Sequence, residues 1–150
     1  MSAPTPTALF HRSPSVAELD ALHAGTTVAH LGIGFVQVGP DRLVARMPVD
    51  ARTKQPAGIL HGGASVLLAE TLGSCAATLC LPPGRHAVGL DVNANHIRAV
   101  REGWVVGDCR PVHIGRTTHV WQIEIREEAS GRLVCTSRIT MAILEGRAAT

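Results

Sequence analysis

One segment, residues 62–81, constrains the fold more than any other part of the sequence. It reads GGASVLLAETLGSCAATLCL and is followed at once by Pro82-Pro83-Gly84, which ends a helix. An α-helix of this length makes about five turns. Because apolar residues occupy most of its faces, it must be buried on most faces rather than along one stripe. One antiparallel sheet that curls around a single central helix would bury it in this way.

The rest of the chain supplies strands for such a sheet. Residues 28–49 read as two strands joined at the turn tripeptide Gly39-Pro40-Asp41. After Gly84 the pattern changes to an alternation with period two, which is typical of strands. This alternation covers three segments: 86–100, 103–115 and 118–144. Within and between them, Glu102-Gly103 and Ser130-Gly131 are hairpin signals. The predicted fold class is α+β with an antiparallel sheet.

The whole chain sets further limits. Its 150 residues predict one domain, residues 1–150, with residues 1–12 frayed. The segment SPSVAELDALHA predicts a short helix, because Ser15 and Glu18 have the spacing of a capping box. The 14 basic residues are scattered, which argues against nucleic acid as a partner. No apolar run reaches about 18 residues, so no membrane span is predicted.

The cysteines and histidines exclude several chemistries. None of the four cysteines forms a C-x-x-C pair, so neither a zinc knuckle nor a thioredoxin motif is supported. No H-E-x-x-H, G-x-S-x-G or Walker motif is present. We therefore expect no metal and no cofactor. The first residues lack the pattern of a secretory signal, so the sequence predicts a reduced, cytoplasmic protein.

A single carboxylate, Glu70, lies in the middle of the apolar helix. Leucine, valine and alanine around a carboxylate remove water from it, which raises its pKa toward the range that suits a general base. Acids are almost never fully buried without a partner or a purpose. The alternative is an acid at the rim of the helix that caps a backbone group or meets an arginine.

His61-Gly62-Gly63 stands at the start of the same helix. Glycines allow a ligand to approach the backbone closely, and the first N–H groups of a helix have no helical acceptor. The helix dipole adds partial positive charge there, which suits an oxyanion that develops on a carbonyl. The alternatives are a tight turn into the helix for the glycines and an N-cap role for His61.

Polar residues elsewhere are candidates for a supporting role. Gln55 could donate to a substrate carbonyl, and Ser74, one turn after Glu70, could hold a water molecule. His96 and Arg98 on a strand, and the turn at residues 113–118, could bind phosphate or a polar tail. Taken alone, each of these positions also fits an ordinary loop, helix or solvated strand edge.

Three segments together resemble a known family. QPAGILHGGASVLLAE, GLDVNANHIRAVREG and HVWQIEIREEASGRLVCTSRITMAIL are similar to the hotdog-fold acyl-CoA thioesterases, over roughly residues 28–145. The branch that the sequence most resembles contains the 1,4-dihydroxy-2-naphthoyl-CoA hydrolases of menaquinone synthesis and the proofreading thioesterases of enterobactin synthesis, near the 4-hydroxybenzoyl-CoA thioesterases. Thr78 departs from this pattern, because a larger side chain is expected there in close relatives.

The resemblance implies a fold, an activity and a set of site residues. The fold is a central helix wrapped by an antiparallel sheet, in a dimer with a continuous sheet and often two dimers per tetramer. The activity is hydrolysis of an acyl-CoA, an aromatic one in this branch, with an acyl carrier protein as the alternative carrier. Glu70 is the nucleophile or general base, the Gly62 N–H polarises the thioester carbonyl, and Gln55, His61 and Ser74 support them. The acyl-CoA site holds Gly89, His96, Ile97, Arg98, Ala99, His113, Ile114, Gly115, Arg116, Thr117 and Thr118.

Helix geometry then predicts that two chains build one site. Gly62 and Glu70 are about 12 Å apart along one helix, so one carbonyl cannot reach both groups of the same chain. Two such helices lying antiparallel across a two-fold axis would bring Glu70 of one beside Gly62 of the other. The rival hypotheses are a non-catalytic acyl-CoA or acyl-carrier binding module of this fold and a hotdog dehydratase, whose motif order fits less well.

Overall fold

A computed structural model describes residues 8–146 of the chain. Three helices and six strands are present in this part: α1 Val16–Leu22, α2 Thr27–His30, β1 Gly34–Val38, β2 Leu43–Pro48, α3 Gly62–Leu79, β3 Arg85–His96, β4 Trp104–Ile114, β5 Thr118–Glu127 and β6 Leu133–Glu145. The strands form one sheet in the order β1-β2-β4-β5-β6-β3, and each neighbouring pair is antiparallel. The predicted α+β class with a single antiparallel sheet is confirmed.

The long helix α3 lies against the inner face of this sheet. Alternate residues of β5, such as Trp121, Ile123 and Ile125, are fully buried beneath it, as the period-two pattern predicts. Glycine in the sheet lets the helix approach closely, because a Cβ on Gly107 would lie 2.6 Å from Cδ1 of Leu72. The helix ends two residues earlier than the sequence predicts, with Cys80 as its C-cap.

The N-terminal segment differs from its prediction. The capping box of α1 is present, with the Glu18 N–H donating to Ser15 Oγ and the Ser15 N–H donating to Glu18 Oε2. Of the predicted frayed residues 1–12, residues 1–7 lie outside the described part. Residues 9–12 are not frayed: Phe10 is 4 % exposed and stacks on Trp121, with 6.4 Å between ring centroids. A buried aromatic ring is what ties this segment down.

Two details of the predicted strands are wrong. Residues 28–30 lie in α2, and the first strand begins only at Gly34, because Gly32 takes a positive φ of 73° and turns the chain. Glu102-Gly103 does not join neighbouring strands, since β3 pairs with β6 at the sheet edge and β4 lies between β2 and β5. The chain crosses over instead, and Val49 donates to the Gly103 carbonyl at 2.8 Å. The predicted hairpin at Ser130-Gly131 is confirmed between β5 and β6.

Strand β3 forms one edge of the sheet. Its 12 residues pair with β6 alone within residues 8–146, which leaves a second row of backbone groups without a strand partner. Val88 and Leu90 on this strand are 39 % and 65 % exposed. A long open edge with exposed apolar side chains is typical of a surface that pairs with another strand. Among the helices of residues 8–146, none has the length and apolar character to cross a membrane.

Candidate active site

The start of α3 forms the first half of the site. His61 is the N-cap residue, and its Nδ1 accepts a hydrogen bond of 2.8 Å from the Gly63 N–H. The His61 N–H donates to the Thr53 carbonyl, which fixes the preceding loop. The Gly62 N–H donates a hydrogen bond to no group within residues 8–146. An N–H at the positive end of a helix is therefore available to an incoming carbonyl oxygen.

His96 covers this helix end from strand β3. A Cβ on Gly62 would lie 2.7 Å from Nε2 of His96, so only glycine allows the imidazole to sit this close. Beside these two residues is a cavity of about 310 Å³. Gln55 lines it, and because the Gln55 Oε1 accepts from the Ala57 N–H at 2.6 Å, its amide NH₂ is left to donate elsewhere. The structure thus brings Gln55, His61 and Gly62 together and adds His96, which the sequence suggests only for the acyl-CoA segment.

Glu70 forms the second half of the site, at a different place on α3. It lines a larger cavity of about 960 Å³ together with Ser74. Its Oε1 would lie 3.4 Å from a Cβ on Gly89, so the carboxylate lies directly beside strand β3 at this position. Glu70 is exposed in the single chain. The predicted loss of hydration is therefore absent from one subunit by itself, because the face of α3 around Glu70 is open.

One chain does not join the two halves. The two cavities have no lining residue in common. Gly62 and Glu70 are eight residues apart in an uninterrupted helix, about 12 Å along its axis. A carbonyl bound at the Gly62 N–H is thus out of reach of Glu70 in the same chain.

The two predicted acyl-CoA segments are also separate within one chain. His96, Ile97, Arg98 and Ala99 line the smaller cavity, and His96 pairs with Cys135 of β6. The turn of residues 113–118 lies at the other end of the sheet, where Thr118 pairs with Ala142 of β6. Cys135 and Ala142 are seven positions apart on one strand, about 23 Å. Of the predicted binding residues, His113, Ile114, Gly115, Arg116, Thr117 and Thr118 are therefore remote from His96 in the chain.

Other groups near the site do not supply a second chemistry. Burial raises the pKa of the Cys75 thiol to about 11, although Arg12 nearby opposes this shift. Because the thiolate is the reactive form, the Cys75 thiol is a poor nucleophile at neutral pH. In the part of the chain that the structure describes, no group of three or more His, Cys, Asp or Glu side chains could hold a metal ion.

The sequence did not reveal one wall of the larger cavity. This wall comes from the N-terminal segment and from α1 and α2, and it includes Arg12, Leu22, His23 and Val28. These side chains face α3 only because the N-terminal segment folds back over the helix, where Arg12 donates a backbone hydrogen bond of 3.2 Å to the Leu79 carbonyl. No local motif marks such a long-range contact.

Comparisons with known proteins agree with this architecture. The family model of the thioesterase superfamily matches residues 57–135. The 1,4-dihydroxy-2-naphthoyl-CoA hydrolase of Escherichia coli K12 is 52 % identical, over 91 % of this chain and 99 % of that protein. A proofreading thioesterase of Cronobacter sakazakii is 49 % identical, over 91 % of this chain and 98 % of the other.

Solved structures extend the similarity to the whole fold. The crystal structure of a thioesterase from Haemophilus influenzae has a TM-score of 0.89 and 47 % identity, over 91 % of this chain and 95 % of that one. A mutant thioesterase from Pseudomonas aeruginosa has a TM-score of 0.89 and 45 % identity, over 91 % and 99 % of the two chains. The resemblance to hotdog-fold proteins is confirmed. The chain belongs to the thioesterase superfamily and is a thioester hydrolase of the hotdog fold.

Proposed function

We propose that this enzyme hydrolyses an aromatic acyl-CoA at a site shared by two subunits, in which Glu70 of one chain faces Gly62 of the other. The observation that carries the proposal is the separation of these groups by about 12 Å on one helix, in two cavities that share no residue. Each chain would supply one half to each of two equivalent sites.

The open edge of β3 offers the contact that would unite the halves. On the inner face of the sheet, Gly89 lies beside Glu70 and His96 lies beside Gly62 of the same chain. Two β3 strands pairing antiparallel about a two-fold axis would bring the partner's His96 near Gly89 if the axis passes midway between these positions. The midpoint falls at Val92 and Asn93.

The same axis would also bring together the two acyl-CoA segments. With the axis at Val92 or Asn93, His96 of one chain comes opposite residues 88–90 of its partner. Val88 pairs with Ala142, which in turn pairs with Thr118, so the turn of residues 113–118 lies along this row of the sheet. One pairing of β3 therefore joins two pairs of groups that are separated within a single chain: Glu70 with Gly62, and His96 with the turn of residues 113–118. We further propose that two such dimers form a tetramer, as the resemblance implies, and that the enzyme works in the cytoplasm.

The proposed chemistry follows from the groups at the joined site. The Gly62 N–H would polarise the thioester carbonyl, with the Gln55 amide as a second donor. The Glu70 carboxylate would then either attack the carbonyl carbon, forming an anhydride that water cleaves, or take a proton from a water that attacks. In both routes the carbon–sulfur bond breaks, a proton goes to the sulfur, and the products are free CoA and the carboxylic acid. His61 would hold the start of the helix, and Ser74 would hold the water.

Two observations support an aromatic acyl group: the substrate for which one relative is named and the apolar wall of the cavity. The relative from Escherichia coli is named for a naphthoyl-CoA substrate. In this chain, leucine and valine of α1, α2 and α3 form much of the cavity that Glu70 faces, including Leu19, Leu67 and Val28. Flat apolar rings fit such a wall. We propose CoA as the carrier, with acyl carrier protein as the alternative that a direct comparison of the two thioesters would decide.

The first test removes the carboxylate of Glu70. Glu70→Gln keeps the size of the side chain and should lower kcat for an aroyl-CoA by about 10²- to 10⁴-fold if Glu70 is a general base. Released CoA is measured with a thiol-trapping reagent, with and without EDTA. Glu18→Gln is the matched control, because Glu18 lines the same cavity but its carboxylate is held by Ser15. A Glu70→Gln enzyme as active as the control would contradict the assigned role.

The second test examines the proposed pairing of β3. A residue on the two-fold axis faces its own copy, so Val92→Cys or Asn93→Cys should form a disulfide-linked dimer on mild oxidation. Asn95→Cys is the control: it lies two or three residues from the axis, so its two copies would be at least about 13 Å apart and beyond the reach of a disulfide. Non-reducing gel electrophoresis reads out the result. Equal cross-linking of all three variants, or of Asn95→Cys alone, would refute the proposed axis.

A further inference from the structure

The larger cavity has two ends with different chemistry. Glu70 stands toward one end, and the cavity continues along a stripe of α3 toward its C-terminus: Leu67, Glu70, Thr71, Ser74, Cys75 and Thr78. From Glu70 to Thr78 this stripe is about 12 Å long. Apolar side chains of α1 and α2, among them Leu22 and Val28, face it. An acyl group whose carbonyl is at Glu70 would therefore extend toward the C-terminal end of the helix.

Arg12 stands at that far end. Its N–H donates to the carbonyl of Leu79, the last residue of α3, and its side chain lines the cavity. Two residues earlier, the ring of Phe10 is 4 % exposed and stacks on Trp121. The main chain at Arg12 is thus held by this hydrogen bond and by the buried ring of Phe10, and it supports the guanidinium.

The guanidinium of Arg12 has no partner within residues 8–146. Most arginines in this part are engaged by an ion pair or a side-chain hydrogen bond: Arg42, Arg46, Arg52, Arg85, Arg110, Arg126, Arg132 and Arg138. Arg12, Arg98, Arg101 and Arg116 form no such ion pair. Arg98 and Arg116 belong to the proposed acyl-CoA segments, whereas Arg12 lines the larger cavity instead.

Two other polar side chains that line this cavity are already in use. The Thr78 hydroxyl donates to the Ser74 carbonyl at 2.8 Å. The Glu18 carboxylate accepts from the Ser15 N–H and hydroxyl at 2.7 and 2.8 Å. The Ser13 and Thr27 hydroxyls also line this cavity, but the guanidinium, with five N–H donors, no acceptor and a full positive charge, is the strongest donor for an oxygen atom there.

We propose that Arg12 recognises an oxygen atom, of a phenolic hydroxyl or a carboxylate, at the end of the acyl group farthest from the thioester. This inference rests on the proposed function, because it takes the larger cavity as the acyl site. Arg12 acts as a specificity-determining residue: it contacts the substrate far from the reacting carbon and distinguishes oxygenated acyl groups from plain ones.

The test compares three substrates that differ only at the far end: 2-naphthoyl-CoA, 6-hydroxy-2-naphthoyl-CoA and 6-carboxy-2-naphthoyl-CoA. Wild-type enzyme should prefer at least one oxygenated substrate, by about tenfold in kcat/KM. This figure takes the lower end of the range for a hydrogen bond to a charged group, since Arg12 is exposed in the free chain. The hydroxyl and carboxylate arms tell which oxygen is recognised. Because all three substrates carry the same CoA, the ratio of their kcat/KM values is independent of any effect on CoA binding.

Variants of Arg12 then decide the role of the guanidinium. Arg12→Met keeps an unbranched apolar side chain and should abolish the preference, so that kcat/KM for the oxygenated substrates falls to the level of 2-naphthoyl-CoA. Arg12→Lys, which keeps the charge without the planar fork, should retain part of it. Arg101→Met is the control, because Arg101 has no ion pair either but lines neither cavity.

The outcomes separate this inference from the proposed function. A wild-type enzyme that hydrolyses all three thioesters without preference, or an Arg12→Met enzyme that keeps the preference, overturns the role of Arg12 while the hydrolysis stands. An Arg12→Met enzyme that loses activity equally on all three substrates also overturns it, since that result indicates a structural role. A wild-type enzyme inactive on every aroyl-CoA overturns the proposed function itself.

Discussion

Mixed dimers offer the sharpest test of a site shared between two chains. One chain carries Glu70→Gln, and the other carries Gly62→Pro, which removes the backbone N–H at a helix position where proline is tolerated. The proline ring also displaces His96, because a Cβ at Gly62 would already lie 2.7 Å from its Nε2. Both effects act at the same helix end, so they do not change the logic of the test.

The expected magnitudes follow from counting the sites. Glu70→Gln alone should lower kcat by about 10²- to 10⁴-fold, and Gly62→Pro alone by about 10²- to 10³-fold. If each site takes Glu70 from one chain and Gly62 from the other, a mixed dimer has one site with both changes and one site with neither. Its activity should therefore be about half that of the wild-type dimer.

The assay needs purified mixed dimers. Two different affinity tags allow co-expressed chains to be selected in sequence, and thiol trapping then measures the release of CoA. Circular dichroism and size-exclusion chromatography verify that the dimers are folded and intact. If the mixed dimers are folded yet as inactive as both parents, the two groups act from the same chain. The reasoning from helix length would then be refuted.

Two more predictions concern binding and stability. Arg98→Ala and Arg116→Ala should each raise KM for an acyl-CoA more than they lower kcat, because contacts far from the reacting carbon contribute uniform binding; unchanged KM in both variants would remove these residues from the CoA site. Burial lowers the pKa of His119, which is 2 % exposed, and the neighbouring His113 and Arg85 lower it further. The unfolded chain therefore binds more protons below about pH 6.5, so the free energy of unfolding should fall as the pH decreases through this value. Urea titrations at several pH values and one fixed protein concentration measure this, and His119→Phe should flatten the dependence.

Local signals in the sequence predicted local structure well. The Ser15–Glu18 capping box and the hairpin at Ser130-Gly131 depend on residues a few positions apart, and both are present. The N-cap role of His61, which the sequence offers only as an alternative, is present as well. The position of β3 is a different matter. Whether this strand pairs with β4 or with β6 is decided by packing across the whole sheet, and the Glu102-Gly103 turn carries no information about it.

Burial by distant partners was equally hidden from the sequence. The composition of the first residues predicts fraying, yet Phe10 is buried against Trp121 of β5, which is distant in the sequence. The same folding-back places Arg12 at the cavity. Pattern analysis assigns a role to a residue from its neighbours in the sequence. Neither Phe10 nor Arg12 has a sequence neighbour that indicates its role.

The surroundings of Glu70 in the single chain differ from those that the sequence predicts. The apolar helix predicted a dehydrated carboxylate, but in the single chain the carboxylate faces an open cavity and is exposed. An isolated charge is costly to bury, so a hydrated Glu70 is the stable arrangement before assembly. On the proposed dimer, water leaves the carboxylate only when the partner's helix end and the acyl group cover it. Desolvation, which strengthens a base, would then arise at the moment when the polarising Gly62 N–H of the partner subunit is also in place. Glu70 and the Gly62 N–H of the partner subunit would thus become catalytically active together. A chain on its own would hold neither a complete site nor a buried, unpaired charge.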